Sequence, residues 1–500
     1  MSKAKICLCL TGSTLEEDLA MLNKYRKWID IAELRVDYLS KDEQLQIRKF
    51  PAMTDIPCIL TIRRTIDGGL FNEGETYRTI LMARGLAFAD QDTSKNFAYI
   101  DMEDDFDVPS LQDSAVAFGT RVIRSHHNMN EPIKNIAEYM KKMMRTGYEI
   151  PKIACMPHTL ADVTDLFRQA KELENTEHIL ITMGPLGLPS RILASKLHSF
   201  ITYTSPTETL PDLAKLGQID PISLNETYHF REIDEQTKVY GITGFPLTST
   251  QSPQLHNCGY KKHSLNAVYI PIRSEKIEDI FDFMDEAGIN GLSVTVPHKE
   301  QVMHHLHQIS EETGEIGACN TIIKRSGEWI GYNTDAAGLR QALCEFLGTK
   351  SLAHKRVAII GAGGAAKAAA YVVKQMRGNA CVFNRTVTRA RSIADMYNFK
   401  YASLSENSID LLDSYSDLII QTTSCGMNTS ETEYKSSDDP LSFYNFNGRE
   451  AVYDLIYTPE KTPLLRRAEK AGCKIQNGKT MLMYQAYKQF LLFTGIQYVQ

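Results

Sequence analysis

No stretch of the 500-residue chain is apolar over the roughly 20 residues that a membrane-spanning helix needs. Met1–Leu10 carries two lysines and only a short apolar run broken by cysteines, far from the apolar core of an export signal. Neither export nor membrane insertion is expected. Basic charge is in short supply too: 55 Lys and Arg face 61 Asp and Glu, for a net charge of -6. The two signs are interspersed, so there is no stripe to neutralise nucleic-acid phosphates and no tail to dock on an anionic membrane. The ten cysteines contain no CxxC pair and no Cys/His cluster at zinc spacing. No metal site is expected, and Cys7 and Cys9, in an alternating strand pattern, read as small buried hydrophobes suited to a reducing cytoplasm. Internal repeats and low-complexity segments are absent as well. The chain exceeds one ordinary core of roughly 100 to 250 residues, so several domains are expected.

Short β-type runs recur at Lys5–Leu10, Ile31–Val36, Cys58–Ile62, Ala98–Met102, Arg121–Ser125, Lys152–Met156, His178–Met183 and Ser199–Tyr203. Helical-period segments lie between most of them, among them Thr14–Lys27, Glu75–Asp90, Ile133–Arg145 and Leu160–Leu173. This alternation predicts parallel strands with crossover helices, and eight repeats favour a closed (β/α)8 barrel over an open sheet. A polar stretch with some helical character, Leu224–Phe230, follows, and Lys238–Gly244 opens a new strand. Beyond αβ units reaching about Leu339, Lys355–Gly361 reads as a strand before the Ala-rich helix Gly364–Val373. Further strands at Ala380–Phe383, Asp417–Gln421 and Ala451–Leu455 complete a Rossmann-type layer.

In a barrel, polar residues at the carboxyl ends of strands carry functional meaning. Glu33, Arg35 and Asp37 share one parity on a strand whose other parity is apolar. Three inward charges either pair as a structural layer or hold a polar ligand. Lys152 stands inside an apolar strand, where burial favours a neutral amine able to attack a carbonyl; a buried ion pair is the alternative. One strand earlier, Ser125-His126-His127-Asn128 supplies imidazole suited to moving protons.

In the second half, Lys299 in Val294-Thr295-Val296-Pro297-His298-Lys299-Glu300 and Asp335 in Gly331-Tyr332-Asn333-Thr334-Asp335 precede the loop Gly361-Ala362-Gly363-Gly364-Ala365-Ala366. The glycines permit a tight strand-to-helix turn and close approach of backbone to a pyrophosphate, which meets the helix N-terminus. The next strand ends in Asn384-Arg385-Thr386, about 20 residues on, where an NAD site places an acid for the ribose hydroxyls. Arg385, Thr386 and Arg389 offer donors and positive charge to a 2′-phosphate instead, so NADP is the expected cofactor. Reducing a ketone also needs a proton for the developing alkoxide, and Lys299 with Asp335 beside it is the expected pair.

With Pro246-Leu247 and Ser252-Pro253-Gln254-Leu255-His256-Asn257 upstream, the segment from Val239 to the C-terminus resembles shikimate dehydrogenase. The resemblance implies Lys299 and Asp335 as catalytic, and Thr250, Ser252, Thr295, Asn320 and Gln485 around the substrate, with Tyr457 facing it. It also implies that Thr423 and Ser424 edge the cofactor. Thr250 and Ser293 depart from the usual Ser and Asn of that family, which leaves the preference between shikimate and quinate open. Residues 4 to 230, through Glu33-Leu34-Arg35-Val36-Asp37, Thr61-Ile62-Arg63, the His doublet and Pro151-Lys152-Ile153-Ala154-Cys155-Met156-Pro157, resemble a type I 3-dehydroquinate dehydratase. That implies Lys152 as the imine-forming residue, His127 as general acid/base, and Glu33, Arg35, Arg63, Arg191 and Gln218 as substrate-binding. Asp67 stands where that family has a Glu to orient the His, and Ala214 where it has a substrate-binding Ser. Such a hydrogen bond from the shorter Asp67 to His127 is expected to be weakened.

The product of the first reaction is the substrate of the second, so a fusion of consecutive steps of the shikimate pathway accounts for the whole chain. The expected layout is a barrel over 1–235, a substrate-binding αβ domain over 236–340, a Rossmann NADP-binding domain over 341–475 and a C-terminal helix over 476–500 that returns to the substrate domain. Small-molecule substrates are the expected partners, with no nucleic acid and no membrane. Two other readings remain open. One is a dehydrogenase, for shikimate or quinate, carrying an impaired or purely structural barrel. The other is a nucleotide-sensing regulator without turnover.

Overall fold

The computed structural model describes residues 3–87, 92–173, 176–209, 216–247, 250–427 and 435–499. The chain divides into two compact units, Met1–Ile289 and Asn290–Gln500. In the first, eight strands run in parallel: β1 (Lys5–Leu10), β2 (Ile31–Arg35), β3 (Cys58–Thr61), β4 (Tyr99–Glu103), β5 (Arg121–Asn128), β6 (Glu149–Cys155), β7 (Ile179–Thr182) and β8 (Ile201–Thr204). Their order is β7-β6-β5-β4-β3-β2-β1-β8, with β8 beside β1. The ring closes through one parallel bridge, His178 with Ser199, where Phe200 N donates to His178 O at 2.7 Å. The expected (β/α)8 barrel is therefore present. Its interior is packed by alternate residues of each strand, including Cys7, Cys9, Ile31, Ile59, Ile123, Ile150, Ile179, Ile201 and Tyr203. Both cysteines are fully enclosed, and burial pushes their thiols up, as expected of small hydrophobes.

Outside the strands the crossover helices bury one face each. The helix Leu160–Ala170 starts at a capping box between Thr159 and Asp162 and buries Leu160, Val163, Leu166 and Phe167. After the barrel a single π-turn spans Ser223–Thr227, and β9 (Lys238–Gly244) pairs in parallel with β10 (Ala267–Arg273) through the helix Ser252–Lys262. The next helix, Ile277–Glu286, packs on Leu160–Ala170, with Phe283 edge-on to Phe167 at 5.3 Å and Glu286 paired to Lys171 at 2.6 Å.

The second unit opens with an antiparallel arrangement: β11 (Ile289–Val294) pairs with β13 (Thr321–Arg325), and β13 with β14 (Glu328–Tyr332). The two-residue β12 (Gln308–Ile309) lies parallel to β14. A parallel sheet follows, formed by β15 (Arg356–Ile360), β16 (Asn379–Asn384), β17 (Lys400–Ser403), β18 (Leu418–Gln421), β19 (Ala451–Asp454) and β20 (Lys474–Gln476). Its order, β17-β16-β15-β18-β19-β20, reverses direction at β15, the switch point at which Rossmann folds bind nucleotides. The last helix, Lys479–Thr494, packs tightly on the helix Thr334–Leu347, where a Cβ on Gly338 would stand 2.8 Å from Gln485 N.

Candidate functional site

The carboxyl ends of the barrel strands surround an open cavity of about 560 Å³, lined by Glu33, Arg35, Arg63, Asp67, His127, Lys152, Arg191, Tyr203 and Gln218 among others. Lys152 is buried on β6, on the inward parity it shares with Ile150 and Ala154. Its Nζ donates to Asp101 Oδ2 at 2.9 Å and stands 4.2 Å from the centroid of the Tyr203 ring. Asp101, on β4, also receives Arg63 Nη2 at 2.8 Å and the Ser125 hydroxyl at 2.5 Å. Burial alone would raise the Asp101 carboxyl, but Arg63 and Lys152 outweigh it and hold it well below the usual range. The other arm of Arg63 donates to Glu103 Oε1 at 2.7 Å, and the second Glu103 oxygen pairs with Arg78. The sequence left Lys152 open between a reacting amine and a buried ion pair; it forms the pair, and the lysine lines the cavity.

The histidine doublet separates. His127 is half-buried on the cavity wall, and burial, then the Arg63 and Lys152 cations, push its imidazole well below its ordinary value. His126 turns away to Asp104, 3.1 Å from Nδ1, and to the Tyr139 hydroxyl at 3.0 Å. Asp67 does not reach His127: it accepts Arg64 Nε at 2.6 Å, while Asp105 takes the other end of that guanidinium at 2.9 Å. His127 Nδ1 is buried without a hydrogen-bond partner among the described residues.

Glu33 and Arg35 on β2 and Asp37 in the turn that follows it, Val36–Tyr38, divide the two roles between them. Asp37 is structural, accepting Arg35 at 2.9 and 2.7 Å and the backbone N–H groups of Arg63 and Leu70 at 3.3 and 3.0 Å. Glu33, accepting the Thr61 hydroxyl at 2.9 Å and Cys9 Sγ at 3.1 Å, lines the cavity with Arg35. Arg191 is buried and, among the described residues, donates only to carbonyls, Leu216 O at 2.9 Å and Tyr203 O at 3.4 Å, and burial lowers its pKa to about 10. A buried guanidinium with no carboxylate is a ready anion site. Gln218 brings a buried Oε1 without a partner among the described residues, and Ala214 lies outside the described residues.

In the second unit, Lys299 Nζ donates to Asp335 Oδ2 at 2.5 Å. Asp335 sits in the first turn of the helix Thr334–Leu347, which Asn333 caps by accepting Ala336 N at 3.0 Å. Asn320 ties the group together: Nδ2 donates to Asp335 Oδ1 at 2.9 Å and Gln485 Oε1 at 3.1 Å, and Oδ1 accepts Thr334 N at 2.7 Å. Thr295, after β11, and Tyr457, after β19, are half-buried. Thr250 and Ser252 stand in the first unit at the start of the helix Ser252–Lys262, where Thr250 Oγ1 accepts Ser252 N at 3.2 Å.

The loop after β15 has the form a dinucleotide requires. Gly361 has φ +114°, and a Cβ there would lie 2.5 Å from Thr422 Oγ1. At Gly363, which begins the helix Gly364–Gln375, a Cβ would meet nothing within 4 Å, leaving room above the helix N-terminus for phosphate. A Cβ at Gly364 would touch Lys299 Cβ and Cδ at 3.2 Å, so this loop abuts the lysine. Ala362 and Ala365 are half-buried beside it. At the end of β16, Asn384 Nδ2 donates to Thr386 O at 3.0 Å, and Arg385, Thr386 and Arg389 are exposed. Neither arginine pairs with a carboxylate among the described residues, which suits a 2′-phosphate. In the turn after β18, Thr423 Oγ1 accepts Cys425 N at 3.1 Å and Ser424 is exposed.

Asp101, Glu103, Ser125 and Tyr203 are the site residues that the sequence reading passed over. Asp101 and Glu103 alternate with Ile100 and Met102, the same sign that singled out Glu33 and Arg35.

Residues 6–235 match the type I 3-dehydroquinase family, 242–322 the shikimate dehydrogenase substrate binding domain, and 345–434 the shikimate/quinate 5-dehydrogenase family. A chloroplastic bifunctional 3-dehydroquinate dehydratase/shikimate dehydrogenase from Arabidopsis thaliana is 31% identical over 515 residues, covering 98% of this chain and 82% of its own. A shikimate dehydrogenase (NADP(+)) from Pyrococcus abyssi is 39% identical over 260 residues, 52% of this chain and 93% of its own. A solved shikimate dehydrogenase in complex with NADP+ is 34% identical, with a TM-score of 0.47 over 53% of this chain and 93% of that one. With a relative that aligns across both halves, the chain belongs to the family of bifunctional 3-dehydroquinate dehydratase/shikimate dehydrogenases.

Proposed function

We propose that the two lysine–carboxylate pairs are the reacting centres of two consecutive steps. The enzyme dehydrates 3-dehydroquinate to 3-dehydroshikimate through a lysine Schiff base, then reduces 3-dehydroshikimate to shikimate with NADPH. The observation that carries the assignment of the first site is Lys152, buried on the cavity wall with His127 and the carbonyl-bound Arg191 around the same space.

In the first site, neutral His127 takes a proton from the Lys152 ammonium, and the amine attacks the C3 ketone. His127 returns that proton to the carbinolamine hydroxyl, which leaves as water and gives a protonated iminium with His127 neutral again. His127 removes the C2 proton, the C–H electron pair flows to the iminium nitrogen, and the resulting enamine expels the C1 hydroxyl as water with the proton from His127. Hydrolysis frees the product and the lysine. Arg191 holds the carboxylate, and Glu33, Arg35, Arg63 and Gln218 hold the ring hydroxyls. In the second site, Gly361, Gly363 and Gly364 would cradle the pyrophosphate, Arg385, Thr386 and Arg389 would take the 2′-phosphate, and Thr423 and Ser424 would edge the cofactor. Bound NADPH supplies the hydride. Lys299 holds the ketone oxygen and protonates it, Asp335 holds that ammonium in place, and Asn320 and Gln485 position both. Thr250, Ser252, Thr295 and Tyr457 complete the substrate contacts, and a panel of shikimate and quinate decides preference.

The domain layout we favour is 1–235, 236–340, 341–475 and 476–500, supported by matched segments at 6–235, 242–322 and 345–434. We also place the enzyme in the cytoplasm, acting on small molecules without nucleic acid or membrane partners. All ten cysteines are free, and among the described residues no helix is long and apolar enough to cross a membrane. Borohydride added with 3-dehydroquinate should leave a covalent adduct on Lys152, read by peptide mass. An unmodified Lys152 under turnover would refute the assignment.

A further inference from the structure

Tyr203 lines the dehydratase cavity with a hydroxyl that no described residue uses. It lies on β8, which pairs Tyr203 with Cys7 and turns its side chain into the barrel beside Ile181 and Ala154. The residue is 4% exposed, and its hydroxyl is buried without a hydrogen-bond partner among the described residues. A polar group withdrawn from water and given no partner is an unreturned loss of hydration, so such groups in folded proteins call for an explanation. Tyr203 lines the cavity together with the carbonyl-bound Arg191 and with Gln218, whose Oε1 is likewise buried without a partner among the described residues. The ring has a separate task, since its centroid stands 4.2 Å from Lys152 Nζ.

We propose that Tyr203 is a substrate-binding residue of the dehydratase: its hydroxyl bonds a hydroxyl of the cyclic polyhydroxy acid, and its ring face steadies the cation on Lys152, ammonium before attack and iminium after it. The proposal rests on the reading of Lys152 as the imine-forming residue. Ring and hydroxyl act at different stages. The π-face favours positive charge at the lysine nitrogen, and the iminium is the sink that draws electrons from the C2–H bond. Burial, then Glu33, pushes the phenol well above its ordinary value, so it stays protonated and can both donate and accept. Its position also answers a gap in the sequence. Ala214 stands where the resemblance sets a hydroxyl-bearing serine, and Tyr203, on β8, brings a hydroxyl-bearing side chain to the cavity.

The test uses the full chain, with dehydrogenase activity as an internal control of folding. Tyr203→Phe keeps the ring and deletes the hydroxyl. It should raise the KM for 3-dehydroquinate roughly three- to tenfold, the range of one neutral hydrogen bond, with kcat little changed. Its melting temperature should hold or rise, because an unpartnered buried hydroxyl is gone. Tyr203→Leu removes the ring as well, and should slow borohydride-trappable adduct formation and lower kcat beyond the phenylalanine variant. Phenylalanine kinetics equal to wild type, with Lys152 still trapped, overturn the proposal alone. So does a phenylalanine variant that melts earlier and loses dehydrogenase activity, which marks a structural hydroxyl. A wild-type Lys152 that is never trapped overturns the imine reading beneath it, whatever the Tyr203 variants do.

Discussion

His127 and Lys152 face one cavity, but the charges beside them differ in sign. Asp101 gives Lys152 a carboxylate, whereas Arg63 and Lys152 press on an imidazole already starved of water. Both influences on His127 favour the neutral ring, so its folded pKa lies below the unfolded value of about 6.5. The base-competent form therefore persists at and below that pH. The acid limb of dehydratase kcat/KM should fall below pH 6.5, as read in a pH–rate profile, and a limb at or above 6.5 would count against His127 as the base. The same shift makes the barrel lose stability as pH falls below about 6.5, where the unfolded chain binds a proton that the folded His127 refuses. In the second site, Lys299→Ala should lower kcat by about a hundredfold or more, the scale of general acid catalysis, with a much smaller change in KM. The opposite pattern would make Lys299 only a binder. Much of this was legible from residue type and parity: Lys152, His127, Glu33 and Arg35 stand out because charge is rare on an inward strand face. Asp67 was less legible. Its orientation depends on Arg64 and Asp105, whose convergence on one carboxylate belongs to the folded loop and not to a spacing.

Among the elements, the loop between β15 and its helix and the turn after β16 divide the work of holding one cofactor in the function we propose. Gly361 admits the sharp turn and Gly363 leaves the helix N-terminus open, which recognises pyrophosphate in any dinucleotide. Discrimination falls to Arg385 and Arg389, exposed and without carboxylate partners among the described residues. A charge-assisted hydrogen bond contributes about 1.5–3 kcal/mol, so Arg385→Ala with Arg389→Ala should raise the KM for NADPH at least about tenfold. The KM for NADH, which has no 2′-phosphate, should change little. Equal losses with both cofactors would place the arginines outside cofactor recognition. The eight barrel strands were readable because a strand enclosed in a barrel must alternate inward side chains with outward ones, as Ile31, Glu33 and Arg35 do on β2. The edges of the second sheet were not: β17 has four residues, largely exposed, and β20 three, too few for a period to emerge. The antiparallel pair β13–β14 was also passed over, within a region read as plain αβ units. Its sign was present in Arg325-Ser326-Gly327-Glu328, where Ser326 and Gly327 take φ of +50° and +86°, a two-residue hairpin turn.

At the scale of the whole molecule, each reacting lysine has its carboxylate partner inside its own compact unit. Lys152, Asp101, His127 and Arg191 belong to Met1–Ile289, and Lys299, Asp335, Asn320 and the nucleotide loop to Asn290–Gln500. None of the cavity-lining residues of the barrel recurs among the groups tied to Lys299. The two chemistries are then separable by single substitutions. Lys152→Ala should abolish dehydration while sparing reduction of 3-dehydroshikimate, and Lys299→Ala the reverse. Neither variant alone should consume NADPH at an appreciable rate when supplied with 3-dehydroquinate. Mixed together, they should regain NADPH consumption after a lag that shortens as the Lys152-competent partner is added in excess, because the intermediate is a small, charged, well-hydrated acid that gains nothing by staying in a barrel whose Arg191 it must share with the next substrate. A mixture that stays silent while each variant keeps its own half-reaction would mean that the intermediate never reaches solvent, and that one chain must carry both lysines to complete the sequence.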